Sequence, residues 1–198
     1  MRELLHNLKH TRITAIDASS YELYKYCIPN NLLKPSENAC TCSHFKALKY
    51  FVDNVKEDRI IIFEDDVSFD FLDKIPYNWS DFEKGLPEYN VVQLAIASTK
   101  IITTNLVEFQ DQYYSTTAYL ITKKAARLIL DDYSSKIYYK FVLGGRTRPT
   151  ADTVIYSLEK TYSIPIFTYL NNDSTIHSKH LAFHKETKEQ QLQAWNNE

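Results

Sequence analysis

The sequence predicts a single α/β domain over residues 1–198, built on a mostly parallel central sheet. Two short apolar runs, residues 60–63 and residues 91–95, are rich in β-branched side chains, as is typical of buried strands. Segments with helical spacing of apolar residues alternate with these runs, which favours parallel strands joined by helices. A chain of 198 residues is long enough to bury one core and short for two.

The elements follow from local pattern. Apolar residues at helical spacing, or a polar residue suited to capping, predict helices over residues 2–9, 39–55, 81–86, 123–130 and 151–160. The expected helix-capping residues are Ser36, Ser80, Thr122 and Thr150. Short apolar or β-branched runs predict strands over residues 12–16, 60–63, 91–95, 117–121 and 164–169. The remaining segments are an irregular loop over residues 18–35, a β-ribbon over 99–110 and a polar surface helix or tail over 185–198.

Three consecutive carboxylates, Glu64, Asp65 and Asp66, follow the apolar run of residues 60–63. Like charges crowded at the end of a buried strand are costly unless a cation or several hydrogen-bond donors meet them. The carboxyl ends of strands in open α/β sheets are also where ligands bind. Because all the ligand atoms would be oxygens, the pattern predicts a Mg²⁺ or Mn²⁺ site. The alternative is an acidic turn in water.

Composition excludes several classes of function. Three glycines cannot form a G-x-G-x-x-G fingerprint or a P-loop, and the acidic triplet lacks the first aspartate of the phosphatase D-x-D-x-[TV] motif. A net charge of −2 predicts no nucleic-acid partner. The chain has no long apolar run and no signal peptide, so we expect a cytoplasmic protein without a membrane span. Cys27, Cys40 and Cys42 are expected to be buried free thiols.

Six motifs occur in a characteristic order along nearly the whole chain: residues 15–18, 39–44, 61–67, 118–126, 149–152 and 173–176. Together they resemble glycosyltransferase family 25, the group of lipopolysaccharide sugar transferases and procollagen galactosyltransferases. The resemblance implies a GT-A-like, Rossmann-like domain that binds a nucleotide-diphosphate sugar. It also implies transfer of a hexose, galactose or glucose from a UDP-hexose, to a glycan or protein hydroxyl with inversion.

The same resemblance assigns roles to individual residues. Asp66 and Glu64, with His177, would hold Mn²⁺ or Mg²⁺ in place of the family's D-x-D motif. The donor-binding residues would be Asp17, Ser43, His44, Glu64 and Asp65. Asp152 would be the general base that deprotonates the acceptor hydroxyl.

Most of these residues also have a structural interpretation. Asp17 is suited to capping a loop, and His44 to packing inside the protein. Asp152 in the first turn of a helix would complement the helix dipole, which is worth roughly 0.3–1 kcal/mol. His177 and His180 are equally typical of a surface pair.

The sequence departs from the family pattern in two ways. The first strand of the fold is expected to be missing, and Ala18 and Ala39 stand where the family has glycines, so we expect weak donor binding. These departures keep open a non-catalytic glycan- or protein-binding module on a degenerate glycosyltransferase fold. A metal-dependent phosphohydrolase that uses the same acidic triplet is a more distant alternative.

Overall fold

The structure is a computed structural model that describes residues 9–26, 32–76, 78–98, 102–134, 148–170 and 178–196. The helices are α1 (Leu23–Tyr26), α2 (Pro35–Asn54), α3 (Trp79–Gly85), α4 (Lys123–Ser134), α5 (Ala151–Ile155) and α6 (Ser178–Asn196). The strands are β1 (Arg59–Phe63), β2 (Val67–Ser68), β3 (Val91–Ala95), β4 (Val107–Glu108), β5 (Ala118–Thr122) and β6 (Thr161–Tyr169).

The chain divides into two compact units. The first contains Ile61–Leu120 and Lys160–Glu198, and the second contains Arg2–Ile60 and Ile121–Glu159. This division does not test the prediction of a single domain over residues 1–198, which stays a prediction. Among the described helices, none is both long and apolar enough to cross a lipid bilayer.

The strands form one six-stranded sheet in the order β1-β5-β3-β6-β2, and β4 also pairs with β6. Only the β3–β6 pair is parallel among the strand pairs defined in the described chain, whereas β6 runs antiparallel to β2 and β4. Backbone bonds from Glu64 to Thr117 and from Lys123 to Asp58 flank β1 and β5 in an antiparallel pattern. The fold is therefore mixed α/β, and the expected mostly parallel, GT-A-like sheet is not confirmed.

Strand β1 differs from the prediction in its position. An apolar run of this kind predicts a central strand buried on both faces, but β1 stands at one end of the strand order and its residues are exposed or half-buried. In contrast, all five residues of β3 are buried. Composition alone cannot distinguish the two positions, because the same apolar residues suit a half-buried edge and a buried centre.

The core of the first unit lies around β3 and β6. Val92, Leu94, Ile164, Ile166 and Phe167 are buried together with Val67, Phe82, Ala95, Ala118 and Leu120. The rings of Phe63, Phe69 and Phe167 pack edge to face at centroid separations of 5.0–5.5 Å. This aromatic cluster holds the end of β1 and the start of the following segment against β6, and so fixes where the acidic triplet begins.

Helix α6 is docked and is not a frayed tail. Thr187, Gln191 and Trp195 are buried at intervals of four residues. The Gln191 amide donates to the Ile96 carbonyl at 3.0 Å, and the Trp195 indole donates to the Pro165 carbonyl at 3.0 Å. Of the expected polar C-terminal segment, residues 185–198, the described part up to residue 196 is helical and has a buried face.

The second unit is organised around the 20-residue helix α2, which contacts α1, α4 and α5. Its buried side chains include Phe45, Leu48 and Phe51, at the spacing that predicted the helix. Pro35 occupies its first turn, and the Glu37 carboxylate accepts from the Lys34 amide at 2.7 Å. Lys34, and not the expected Ser36, is therefore the N-cap residue.

Other boundaries shift for local reasons. Residues 12–16 are described and form no strand, and α1 lies inside the expected loop of residues 18–35. Asn78, and not Ser80, caps α3 by accepting from the Asp81 amide. The expected ribbon over 99–110 is reduced, in its described part, to β4 and the bridge between Ala97 and Tyr114. Helix α5 ends at Ile155, before the predicted residue 160, because β6 already begins at Thr161.

The cysteines are not all free. Cys42 is disulfide-bonded and fully buried, whereas Cys40 is a free, exposed thiol. The prediction of buried free thiols is therefore wrong for both residues. Cys27 lies outside the described residues.

Candidate active site

The acidic triplet forms the turn between β1 and β2 in the first unit. Three backbone hydrogen bonds hold this turn. The Glu64 amide donates to the Thr117 carbonyl at 2.8 Å, the Val67 amide donates to the Glu64 carbonyl at 3.4 Å, and the Leu170 amide donates to the Asp66 carbonyl at 2.7 Å. The backbone of Glu64 is thus tied to the residue before β5, and that of Asp66 to the end of β6. Carboxylates on a backbone held this way are preorganised.

Two threonine hydroxyls meet the two inner carboxylates. Thr116 donates to Glu64 Oε1 at 2.6 Å, and Thr117 donates to Asp66 Oδ1 at 3.2 Å. Glu64 and Asp66 are half-buried, whereas Asp65 is exposed. Each inner carboxylate therefore accepts a hydrogen bond from a side-chain hydroxyl, which helps to fix its orientation.

Electrostatics make the charged form of Asp66 costly. Burial, followed by the neighbouring Glu64 carboxylate, raises the pKa of Asp66 to about 6, and Asp65 adds a smaller rise. The hydroxyl of Thr117 opposes this rise without cancelling it. A cation bound between these oxygens would remove the cost, because it replaces like-charge repulsion with attraction.

The hydroxyl-bearing segment before β5 was not predicted from the sequence. Ser115 has a φ of 100°, a left-handed conformation unusual for a residue other than glycine. The buried Gln93 amide holds this segment by donating to the carbonyls of Tyr114 and Ser115, while Ser163 donates to the Gln93 side-chain oxygen. The sequence feature that could have indicated this segment is the run of three hydroxyl residues, Ser115–Thr117, directly before an apolar strand.

Tyr169, the last residue of β6, was also not anticipated. Its backbone pairs with Val67, and its ring stacks on His184 of α6 with a centroid separation of 4.1 Å. Its hydroxyl is buried without a well-formed hydrogen bond in the described chain, although the hydroxyls of Ser115 and Thr117 lie close by. Burial raises the pKa of Tyr169, and the Asp66 and Glu64 carboxylates raise it further. Tyr169 is therefore a neutral group that faces the acidic turn.

In the second unit, the structure brings the Asp17 loop and helix α2 together. The Ser43 hydroxyl accepts from the Ile16 amide at 2.9 Å and donates to the Ala39 carbonyl at 2.7 Å. Asp17 is exposed and accepts from the amide and hydroxyl of Ser19, which lowers the pKa of Asp17. His44 is buried in α2. Both Asp17 and Ser43 thus have structural contacts, and their expected donor-binding role stays a prediction.

The remaining predicted catalytic and metal-binding residues are Asp152 and His177. Asp152 is half-buried in the first turn of α5, where it accepts from the Thr150 hydroxyl at 2.5 Å and the Thr153 amide at 3.0 Å. These contacts are those of a helix-terminal carboxylate, and the role of general base stays a prediction. His177 lies outside the described residues, so its expected metal contact stays a prediction too.

The arrangement at the acidic turn fits a hard divalent cation. Glu64 and Asp66 could supply carboxylate oxygens, and the hydroxyls of Thr116 and Thr117 donate to these carboxylates. Such a donor set suits Mg²⁺ or Mn²⁺ better than softer metals. The residues present are therefore compatible with the metal that the resemblance implies.

Comparison with known proteins gives one result of direct use. The sequence profile of glycosyltransferase family 25 (LPS biosynthesis protein) matches residues 6–142, which is more than half of the chain. A search of curated proteins found no match. The matched segment includes the acidic turn, the Ser115–Thr117 segment and helix α2, whereas Asp152 and Tyr169 lie beyond it.

Proposed function

Because the chain belongs to glycosyltransferase family 25, we propose that it transfers a hexose from a nucleotide-diphosphate sugar to a hydroxyl group. The donor would be a UDP-hexose carrying galactose or glucose, and the acceptor a glycan or a protein side chain. Mn²⁺ or Mg²⁺ would be required, and transfer would invert the anomeric centre. These finer statements are the proposal, and the family membership is its premise.

The observation that carries the proposal is the acidic turn at Glu64 and Asp66. Two half-buried carboxylates lie on a backbone held by three hydrogen bonds, and the pKa of Asp66 is raised by burial and by the neighbouring Glu64 carboxylate. Carboxylates that merely formed a solvated turn would not each need a hydroxyl donor from a segment 51 or 52 residues away in sequence. The arrangement supports a cation site.

When bound, the metal would neutralise charge on the departing diphosphate, the main electrostatic demand of sugar transfer. Each of these residues has its own role in this proposal. Glu64 and Asp66 would hold the cation, and Thr116 and Thr117 would keep their carboxylates oriented. Asp65, exposed on the same turn, would contact the ribose or sugar of the donor.

Asp152 is proposed as the general base that accepts the proton of the acceptor hydroxyl. One of its carboxylate oxygens, Oδ1, accepts both observed hydrogen bonds. The other carboxylate oxygen makes neither of these bonds and would be the proton acceptor. Inversion follows if the acceptor attacks the anomeric carbon on the face opposite the diphosphate.

The test is calorimetric titration of UDP into the protein with Mn²⁺ present. Asp66→Asn removes a metal-binding charge while keeping the size of the side chain, and it should weaken UDP binding at least about tenfold. Asp152→Asn is the control, because it should leave UDP binding unchanged while lowering sugar transfer by roughly 10²–10⁴-fold. Transfer is measured as UDP release from UDP-galactose and UDP-glucose.

UDP binding that is equal in the wild type and Asp66→Asn, with Mn²⁺ present, would contradict the proposed metal site. A wild-type protein that binds saccharides but neither UDP nor a UDP-sugar would instead support the non-catalytic binding module. Asp152→Asn protein with a full transfer rate would leave Asp152 as a helix-terminal carboxylate only.

A further inference from the structure

The second unit carries a pocket next to Asp17, and its two tyrosines have no role in the proposed function. Its volume is about 380 Å³, within the range of small-molecule sites. Among the residues that the structure describes, eight line it and all are uncharged: Ala18, Ser19, Ser20, Tyr21, Leu23, Tyr24, Pro35 and Asn38. They come from the loop after Asp17, from helix α1 and from the first turn of α2.

Two tyrosines in this pocket are unusually exposed. The exposed fraction is 88% for Tyr21 and 67% for Tyr24, and their ring centroids are 6.4 Å apart with an interplanar angle of 35°. Aromatic side chains normally bury most of their area, because exposing a ring to water costs hydrophobic free energy. A pair of exposed rings beside a pocket is therefore typical of a surface that a ligand covers.

The wall of the pocket is preorganised around these rings. The Ser20 amide donates to the Asp17 carbonyl at 2.9 Å, and the Ser19 hydroxyl donates to the Asp17 carboxylate at 2.5 Å. The Ser20 hydroxyl accepts from the Glu22 amide at 3.1 Å. These bonds hold the loop in one conformation, so little conformational entropy remains to be lost when a ligand binds.

The charges near the pocket favour a neutral ligand. Glu22 forms an ion pair with Lys46 at 2.9 Å, and Glu37 forms one with Arg148 at 2.6 Å, so these nearby cations already face carboxylates. No cation is among the eight lining residues, and a phosphate group would find no charge partner in that set. What the lining offers is aromatic faces, serine hydroxyls and the Asn38 side chain.

We propose that the Tyr21–Tyr24 pocket binds a neutral pyranose ring and is the subsite for the sugar acceptor. Pyranoses present an apolar face of C–H groups that packs on an aromatic ring, and hydroxyls at the rim that bond to serine and amide groups. The acceptor role rests on the proposed function. The saccharide-binding role rests only on the pocket itself.

The test is saturation-transfer NMR with lactose, maltose and cellobiose as ligands and with uridine as a competitor. The wild type should bind at least one disaccharide, and Tyr21→Ala with Tyr24→Ala should raise its Kd at least about tenfold, equivalent to about 1.4 kcal/mol. Tyr21→Phe should retain binding because it keeps the ring face. Tyr50→Ala is the matched control, because Tyr50 is 37% exposed on α2 and does not line the pocket.

Folding is not at risk, because the two rings are mostly exposed, and thermal unfolding of each variant checks this. Failure of all three disaccharides to bind, or equal binding in the double variant, would overturn the inference. Uridine that competes at the same tyrosines would overturn it in favour of a nucleobase site.

The outcome is separable from the proposed function. The double tyrosine variant should release UDP from a UDP-hexose in water at the wild-type rate, because the pocket is not assigned to the donor. Donor hydrolysis without disaccharide binding would reject the pocket and leave the function standing. Disaccharide binding without any UDP binding would support the pocket and reject the proposed function.

Discussion

Glu64 and Asp66 place two like charges in one half-buried turn. Their half-buried carboxylates are held close to each other by the backbone of the β1–β2 turn and accept the hydroxyls of Thr116 and Thr117. Burial and the like charge of Glu64 make ionisation of Asp66 costly, and they raise its pKa. Residues kept in such a costly state are typical of binding sites, where stability is given up for function.

The pKa of Asp66 predicts how pH affects the metal-free protein. Because the pKa is about 6 in the folded chain against 3.8 ordinarily, the folded state binds the proton more tightly than the unfolded state does. The associated stability is fully present below pH 3.8 and is lost as pH rises through 6. Asp66→Asn should therefore be more stable than the wild type at pH 8, by at most about 3 kcal/mol, and the gap should close near pH 4.

Urea unfolding in EDTA at a series of pH values from 4 to 8 measures this gap. Asp65→Asn is the control, because that exposed carboxyl lies on the same turn and should change the free energy of unfolding little. Parallel stability curves for the wild type and Asp66→Asn would show that the Asp66 charge is not costly. In buffer without EDTA, added Mn²⁺ should stabilise the wild type more than Asp66→Asn.

At the scale of elements, helix α6 shows how a polar segment can be essential to a fold. Its sequence suggests a solvated helix, yet Gln191 and Trp195 reach the carbonyls of Ile96 and Pro165. Lys188 forms an ion pair with Asp70 and extends toward the Tyr169 carbonyl. His184 of the same helix stacks on Tyr169, whose hydroxyl faces the acidic turn. Helix α6 thus supports the strand end that borders the candidate metal site.

Removing the indole of Trp195 should therefore be costly. Trp195→Ala deletes a side chain that is only 6% exposed and breaks its bond to Pro165, and the expected loss is about 3–5 kcal/mol of unfolding free energy. Leu192→Ala on the same helix is the control, because Leu192 is 37% exposed and should change stability by less than about 1 kcal/mol. Urea denaturation of both variants measures this, and equal effects would mean that α6 is not docked through Trp195.

At the scale of the whole molecule, the chain contains a disulfide bond that its composition did not predict. An odd count of three cysteines without metal spacing predicted free thiols, yet Cys42 is disulfide-bonded and buried in α2, while Cys40 two residues earlier is free and exposed. Residues two apart on a helix point in different directions, so the two thiols have different surroundings. A cross-link to the long helix α2 restricts the unfolded chain and stabilises the fold.

Thiol counting tests this directly. The denatured, unreduced protein should react with one equivalent of a thiol reagent per chain, and with three equivalents after reduction. Reduction should also lower the unfolding free energy, typically by about 2–4 kcal/mol for a native disulfide. Three reactive thiols before reduction would restore the original prediction. Cys40→Ser is the control, because it should remove the free thiol without changing stability.

The sequence alone determined what is local. Helix α2 and strands β3 and β5 lie within a few residues of their predicted bounds, because hydrophobic spacing reports secondary structure directly. The acidic turn follows its apolar strand as expected, and the motifs around it were sufficient to indicate the family. The pairing of β3 with β6 in parallel, the antiparallel direction of the other defined pairs and the edge position of β1 were decided only by the tertiary structure. So were the contacts of Thr116 and Thr117 with Glu64 and Asp66, since hydrogen bonds between residues about 50 positions apart depend on how the strands are assembled and leave no periodic signal in the chain.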